Sequence, residues 1–333
     1  MIIKKAILHI MNCESDSCMF SQSELDISDF GTGEFIEKHL TKILQDSGKR
    51  EGAFLDFSIF KQSLDRYLSG GCDFGEFSQA IGTIVYDWVI KEDEPESMDL
   101  LMTQFTDEQE EYVALMLLPN QIAFTHSVEI GEDGGTVNKI IRSFELLPGT
   151  NRKVSSYALV RLRDQAVFLA DKKRVVEGDE INLLQDKIMQ CMCGHSDRDT
   201  MRKIKKITGD VAEKFGANPA IAVSRAKQVI VNNAEQDVPF TPSDICEEVF
   251  FDNQVMKQAF KEEAMEQDLP AKIKVENERV VASARTHKIK TDTGIEIKVP
   301  TEYLENDRYM QFTSNPDGTI SIEIKNIGKI LNR

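Results

Sequence analysis

Little in this sequence announces chemistry, and each shortage removes a class of function. No apolar run approaches the roughly 20 residues that a membrane-spanning helix needs. The opening segment Met1-Ile-Ile-Lys-Lys-Ala-Ile-Leu-His-Ile10 is too short for a secretory signal and has no cleavage site. A cytoplasmic protein without a membrane partner is therefore expected. Cysteines occur only at 13, 18, 72, 191, 193 and 246, and without a secretory signal they fit reduced thiols better than a disulfide framework. Cys191-Met-Cys193-Gly-His195 is the one cluster with the look of a metal site. No second Cys or His pair answers it, so no metal is expected.

Catalytic signatures are equally scarce. There is no nucleophile elbow, phosphate-binding loop, metalloprotease helix or dinucleotide fingerprint. Gly31-Thr32-Gly33 stands before a helical pattern but lacks the length and the Lys-Ser/Thr end of a phosphate loop, so it reads as a helix start. The Glu-Asp stretch at Gly131-Glu-Asp-Gly-Gly135 lacks the ligand ladder of a calcium loop and reads as a turn. The histidines (His9, His39, His126, His195, His287) sit in unrelated contexts, and each reads as structural. A binding protein is expected, neither an enzyme nor a cofactor carrier.

Positive charge is also in deficit: 40 Lys and Arg face 56 Asp and Glu, a formal net charge of -16. A surface of that sign repels phosphate, which excludes a uniformly DNA-coating protein and leaves only local basic windows. Two windows stand out. Between Lys139 and Arg174, nine basic residues (Lys139, Arg142, Arg152, Lys153, Arg161, Arg163, Lys172, Lys173, Arg174) face Glu145, Asp164 and Asp171, a local balance of about +6. Further on, Arg202, Lys203, Lys205 and Lys206 lie on the polar face of a helix whose apolar face is Met201, Ile204, Ile207, Val211 and Phe215. The stretch from Lys91 to Glu111 is strongly acidic and reads as a solvated surface.

Periodicity sets the architecture. Lys5 to Met11 reads as a strand. Phe35, Ile36, Leu40, Ile43 and Leu44 fall on one helical face; Phe57, Phe60, Leu64 and Leu68 form a second such run before Gly70-Gly71; and Phe74 to Trp88 forms a third. These aromatic stripes read as core. Met98 to Phe105, Tyr112 to Leu118, Gln121 to Ile130, Val137 to Leu147, Tyr157 to Leu162 and Ala166 to Leu169 read as antiparallel strands, with Asp171-Lys-Lys-Arg174 as a turn before Val175-Val176. Ile181 to Met189 reads as a helix.

Beyond the polar run Gly194 to Asp199 the pattern turns helical, with helices over Ala220 to Asn233, Ser243 to Phe250 and Asn253 to Gln267, the last capped by Asp252. Ser243 to Gln267 imitates a helix-turn-helix but offers no basic recognition helix. The expectation is an α+β protein: an N-terminal domain of mixed helices and antiparallel sheet (1–190), then a helical segment ending in a small antiparallel β-meander (191–333).

That meander is carried by His287-Lys-Ile-Lys-Thr-Asp-Thr-Gly-Ile-Glu-Ile-Lys-Val-Pro300 and Asn315-Pro-Asp-Gly-Thr-Ile-Ser-Ile-Glu-Ile-Lys-Asn-Ile-Gly-Lys-Ile330. Ile295, Ile297 and Val299, and again Ile320, Ile322 and Ile324, alternate with polar residues, which predicts one buried face. Asp292-Thr293-Gly294 and Asn315-Pro316-Asp317-Gly318 supply turn chemistry. These two phrases resemble the C-terminal signature of the bacterial nucleoid-associated protein family, with weaker similarity at Gly134-Gly-Thr-Val-Asn-Lys-Ile-Ile-Arg-Ser-Phe-Glu-Leu-Leu-Pro148. The resemblance implies a non-enzymatic protein of the nucleoid that binds double-stranded DNA with little sequence preference, and the basic windows are the candidate contacts. The competing expectation is an adaptor that docks on a DNA-processing enzyme, with the acidic segment 92–111 as a DNA-mimic variant.

Overall fold

A computed structural model describes residues 1–130, 134–304, 306–317 and 319–331. The fold is α+β, and the chain divides into two compact units, Met1–Gly194 and His195–Arg333. The turn expected at Gly131–Gly135 and the one closed by Gly318 fall partly outside the described residues.

The first unit is laid out as β1 (Ile2–Asn12), β2 (Ser17–Met19), α1 (Phe30–Leu44), β3 (Arg50–Phe54), α2 (Ile59–Leu68) and α3 (Phe74–Val89). There follow β4 (Met98–Asp107), β5 (Glu110–Pro119), β6 (Gln121–Ile130), β7 (Thr136–Leu146), β8 (Ser156–Arg161) and β9 (Val167–Ala170). It ends with β10 (Lys173–Val176), β11 (Asp179–Asn182), a π-helical turn at Leu183–Met189 and β12 (Cys191–Cys193). Eight strands form one antiparallel sheet in the order β12-β3-β9-β8-β5-β4-β1-β2.

Both faces of this sheet are covered, which is why β4 and β5 read as nearly continuous apolar runs. On one face Leu100, Met102, Leu115 and Val160 pack with Phe60 and Leu64 of α2, Phe77, Ile81 and Val85 of α3, and Leu184 and Ile188 of the π-helical turn. On the other, Leu101, Phe105, Met116 and Leu159 pack with Ile36, Leu40 and Ile43 of α1. Each fully buried Phe or Leu contributes roughly 1.5–3 kcal/mol.

Helix starts follow local chemistry: Asp29, Ser58 and Asp73 cap α1, α2 and α3, the last through a reciprocal capping box with Glu76. Gly31-Thr32-Gly33 is the first turn of α1. Phe57 is the exception among the aromatic stripes: it precedes the Ser58 cap and is exposed, because helical phase does not extend beyond the cap. Gly52 on β3 faces Cys193 across the β12 register, and a Cβ there would lie 2.6 Å from the Cys193 Sγ.

Two segments depart from expectation. Lys173 and Arg174 belong to β10, which pairs with β11 in a separate hairpin, and are not part of a turn. The segment expected as a helix from Ile181 begins as strand and continues as the π-helical turn, whose exit residue Gln190 is left-handed at φ 49.

The second unit contains α4 (Asp197–Lys214), α5 (Pro219–Glu235), α6 (Pro242–Val249), α7 (Gln254–Glu266) and α8 (Glu278–Ala284). The strands β13 (Thr286–Lys290), β14 (Glu296–Pro300), β15 (Met310–Ser314) and β16 (Ile320–Ile324) complete it. Ile204, Ile207, Val211, Ile230, Ile245 and Phe260 centre its core. Pro219 and Pro242 occupy first-turn positions after the caps Asn218 and Thr241. Asn253, rather than Asp252, caps α7, its side chain accepting from the backbone of Val255 and Met256.

The C-terminal strands form two separate hairpins, β13-β14 and β15-β16, instead of one meander. Gly294, at φ +89, closes the first. The Ile320-Ile322-Ile324 alternation is real in the register, with Ile322 opposite Phe312 and Ile324 opposite Met310. Its burial is not: Ile320 and Ile324 are exposed, and Ile295 as well. Period-2 alternation fixes which residues share a face but says nothing about what covers that face.

Candidate nucleic-acid interface

The basic window of the first unit is largely its own counterion system. Lys139 on β7 pairs with Glu129 at 2.5 Å, and Lys153 reaches Asp46 at 3.0 Å. Arg161 donates twice to Asp164, at 2.9 and 2.8 Å, and holds that carboxyl down to about pKa 2. Arg163 bridges Glu110 and Asp164. Lys172 lies 3.6 Å from Glu96, and Lys173 2.5 Å from Glu180.

Arg174 turns inward and donates to Glu92 at 2.6 Å, with both side chains buried. It is therefore withdrawn from any phosphate, contrary to its place in the sequence window. Of the nine, Arg142 and Arg152 alone have no carboxylate at ion-pair distance among the described residues, and Arg142 lies 4.7 Å over the Phe144 ring.

The partners Glu92, Glu96 and Glu110 come from the acidic run, which hydrogen bonding brings beside the basic strands. Asp93 donates its backbone N–H to the Val175 carbonyl at 2.9 Å, and Glu92 bridges Val176. A cleft of about 420 Å³ there is lined by Glu92, Asp93, Glu94 and Glu96 as well as Lys172, Lys173 and Arg174. Its mixed sign makes it a poor phosphate site.

The second unit is different. Ser196 caps α4, whose apolar stripe of Met201, Ile204, Ile207 and Val211 is buried, leaving the basic face outward. Arg202 pairs with Asp199 at 2.8 Å, and Lys203 donates to the Asp268 carbonyl at 3.0 Å. Lys205 and Lys206 have no carboxylate at ion-pair distance among the described residues.

Lys205 is joined by two groups that sequence reading did not single out. Lys227 on α5 is buried and donates to the Thr286 carbonyl at 2.7 Å; burial, then Lys205, pulls its amine down to about pKa 8. His287 on β13 is buried, and burial followed by Lys227 and Lys205 lowers it to about pKa 4. Three basic groups from α4, α5 and β13 thus converge with no carboxylate paired to any of them among the described residues. Alternation also sets Lys288, Lys290 and Lys298 on one side of the β13-β14 hairpin, where Glu296 pairs with Lys288 at 2.7 Å. Lys227 lies in a helical stretch rich in Ala and Val, and only its placement on the buried side of α5 could have flagged it.

Cys191 and Cys193 bring their Sγ atoms to 3.6 Å. Among the described residues no group of three or more His, Cys, Asp or Glu side chains is arranged to hold a metal ion. No helix among them is long and apolar enough to cross a membrane.

Compared with known families, residues 7–332 match the model of the nucleoid-associated protein YejK family. The chain belongs to that family. No curated protein matches it. The family match spans both units.

Proposed function

We propose that this protein is a nucleoid-associated, non-enzymatic binder of double-stranded DNA with little sequence preference, and that its phosphate contacts come mainly from the second unit. The reading rests on the family, and the observation that carries it is the outward face of α4, where Lys205 and Lys206 have no carboxylate at ion-pair distance among the described residues, in a chain of net charge -16. Arg202, Lys203, Lys205, Lys206, Lys290 and Lys298 are the candidate contacts, with Arg152 as an outlying one.

In the first unit an approaching phosphate must displace carboxylates already bound to Lys139, Lys153, Arg161, Arg163, Lys172 and Lys173. With a Debye length of about 8 Å at physiological salt, the acidic surface elsewhere is largely screened from a basic patch that far away. Neutralising about six phosphates gives a log-log salt slope near -5. Titrating a duplex of arbitrary sequence across salt concentrations tests this, and a slope near zero would transfer the reading to a protein adaptor. The DNA-mimic form of that adaptor has less support, because Glu92, Glu96 and Glu110 of the acidic run face this chain's own cations.

A further inference from the structure

The β6-β7 ribbon belongs to no larger sheet. Among the described residues each strand pairs only with the other, and neither contributes to the buried core. Directly opposed residues of an antiparallel pair point to the same side, and the register sets Phe124 beside Arg142, His126 beside Ile140, Val128 beside Asn138 and Ile130 beside Thr136. One side of the ribbon therefore collects Ile122, Phe124, Val128, Ile130, Ile140 and Phe144. All six are exposed, Ile130 and Ile140 by more than four-fifths (83% and 81%). The other side is mixed: Thr125, Ser127, Glu129, Lys139 and Ser143, with the Glu129–Lys139 ion pair, alternate with Ala123, Val137 and Ile141, the last two less exposed (41% and 44%) than Phe124, Val128, Ile130 and Ile140.

An isolated two-stranded ribbon is marginal in water, and monomers rarely leave a contiguous apolar patch of more than a few hundred Å² uncovered. Six side chains of roughly 200 Å² each, about two-thirds exposed on average, present roughly 800 Å², which is what each partner gives to a standard interface.

We infer that this face is a homodimer interface, in which the ribbons of two copies stack face to face about a twofold axis. The occupant follows from three features. An element that needs a cover to stay ordered requires a partner present whenever the chain is, and a second copy meets that condition. The face is self-complementary, since its six side chains are apolar, the flanking charges are Arg142 and His126, and no carboxylate of the described residues lies among them. Nucleic acid is disfavoured, because a face of six uncharged side chains gives a phosphate backbone little to pair with.

Sedimentation of the intact chain at 1–50 µM (roughly, a range spanning standard interface affinities) should give a particle of twice 37.7 kDa. Phe124→Asp combined with Ile140→Asp should give the monomer, while Thr125→Asp on the other side should leave the dimer. Hydrogen exchange of wild-type amides in 121–130 and 136–146 guards against misfolding of the variants, since their protection should fall on dilution. A wild-type monomer across the range, a dimer that survives the double substitution, or concentration-independent protection overturns the inference. A flat salt slope in DNA binding leaves it untouched, so the two readings fail separately.

Discussion

Arg174 and Glu92 form a buried ion pair at 2.6 Å that ties β10 to the segment between α3 and β4. Burial pushes the Glu92 carboxyl above its ordinary range although Arg174 pulls the other way. The pair therefore holds position more than it supplies net stability, and removing one partner strands the other. Arg174→Met is expected to cost about 3 kcal/mol or more, read as a fall in Tm, whereas Arg174→Met with Glu92→Leu should recover most of it. A raised carboxylate pKa means that the folded state holds the proton more tightly. The single variant should accordingly regain stability as pH falls through the folded pKa of Glu92. Equal destabilisation by the single and double variants would count against a stranded charge.

The ion-pair pattern separates the two basic windows by experiment. Lys205→Glu with Lys206→Glu should flatten the salt slope of DNA binding by about two, one for each phosphate that is no longer neutralised. Lys172→Glu with Lys173→Glu should change it by less than about one, because those amines already face Glu96 and Glu180. Retention on duplex DNA across a salt series decides between them, and the reverse ranking would return the interface to the first unit.

The α+β class and the core helices could be read from periodicity, because Ile36, Leu40 and Ile43, or Phe77, Ile81 and Val85, face a sheet at helical spacing. Charge could be counted but not paired. Glu92 and Arg174 are 82 residues apart, and their meeting is created by strand order, which a window average cannot see. Lys227 escaped notice for the related reason that burial of a lysine depends on which carbonyl it can reach, here Thr286, 59 residues away. The hairpin isoleucines erred the other way, alternating correctly on a face that no core cluster covers.

The C-terminal hairpin supplies a graded test of that last point. Met310 is buried, whereas Ile320, near the far end of β16, is exposed. Met310→Ala should cost about 2 kcal/mol or more, and Ile320→Asp less than about 0.5 kcal/mol. Thermal melts of the two variants give the ranking. Unfolding by Ile320→Asp would mean that the face is covered in solution.

His9 gives the sharpest pH prediction. On β1 its Nδ1 accepts the Ser21 backbone N–H at 3.1 Å, so the proton sits on Nε2, which donates to Ser78 Oγ at 3.1 Å. Ser78 in turn donates to the Gly75 carbonyl at 2.8 Å, and the Phe20 ring meets the imidazole edge-on at 5.3 Å. Gly82 on α3 makes room for this packing, since a Cβ there would lie 2.8 Å from Phe20. No acceptor among the described residues awaits a second imidazole proton, and burial lowers the group to about pKa 4, against the opposing hydrogen bond to Ser78.

The unfolded chain therefore binds more protons than the folded one between about pH 4 and 6.5, and stability rises with pH across that window. The contribution is complete above about 6.5, lost as pH falls through about 4, and on the order of 3 kcal/mol. Asp171, raised to about pKa 6 mainly by burial, runs in the opposite direction, with stability falling as pH rises from its ordinary value to about 6. The net pH profile of the wild type is thus blunted, and the informative quantity is a difference. Between about pH 7.5 and 4.5, urea unfolding should show the wild type losing about 2 kcal/mol more than His9→Gln, in which the titrating group is gone and Asp171 is unchanged. Equal losses in the two proteins would mean that His9 is protonated in the folded state and that the Ser21–His9–Ser78 arrangement does not persist at acid pH.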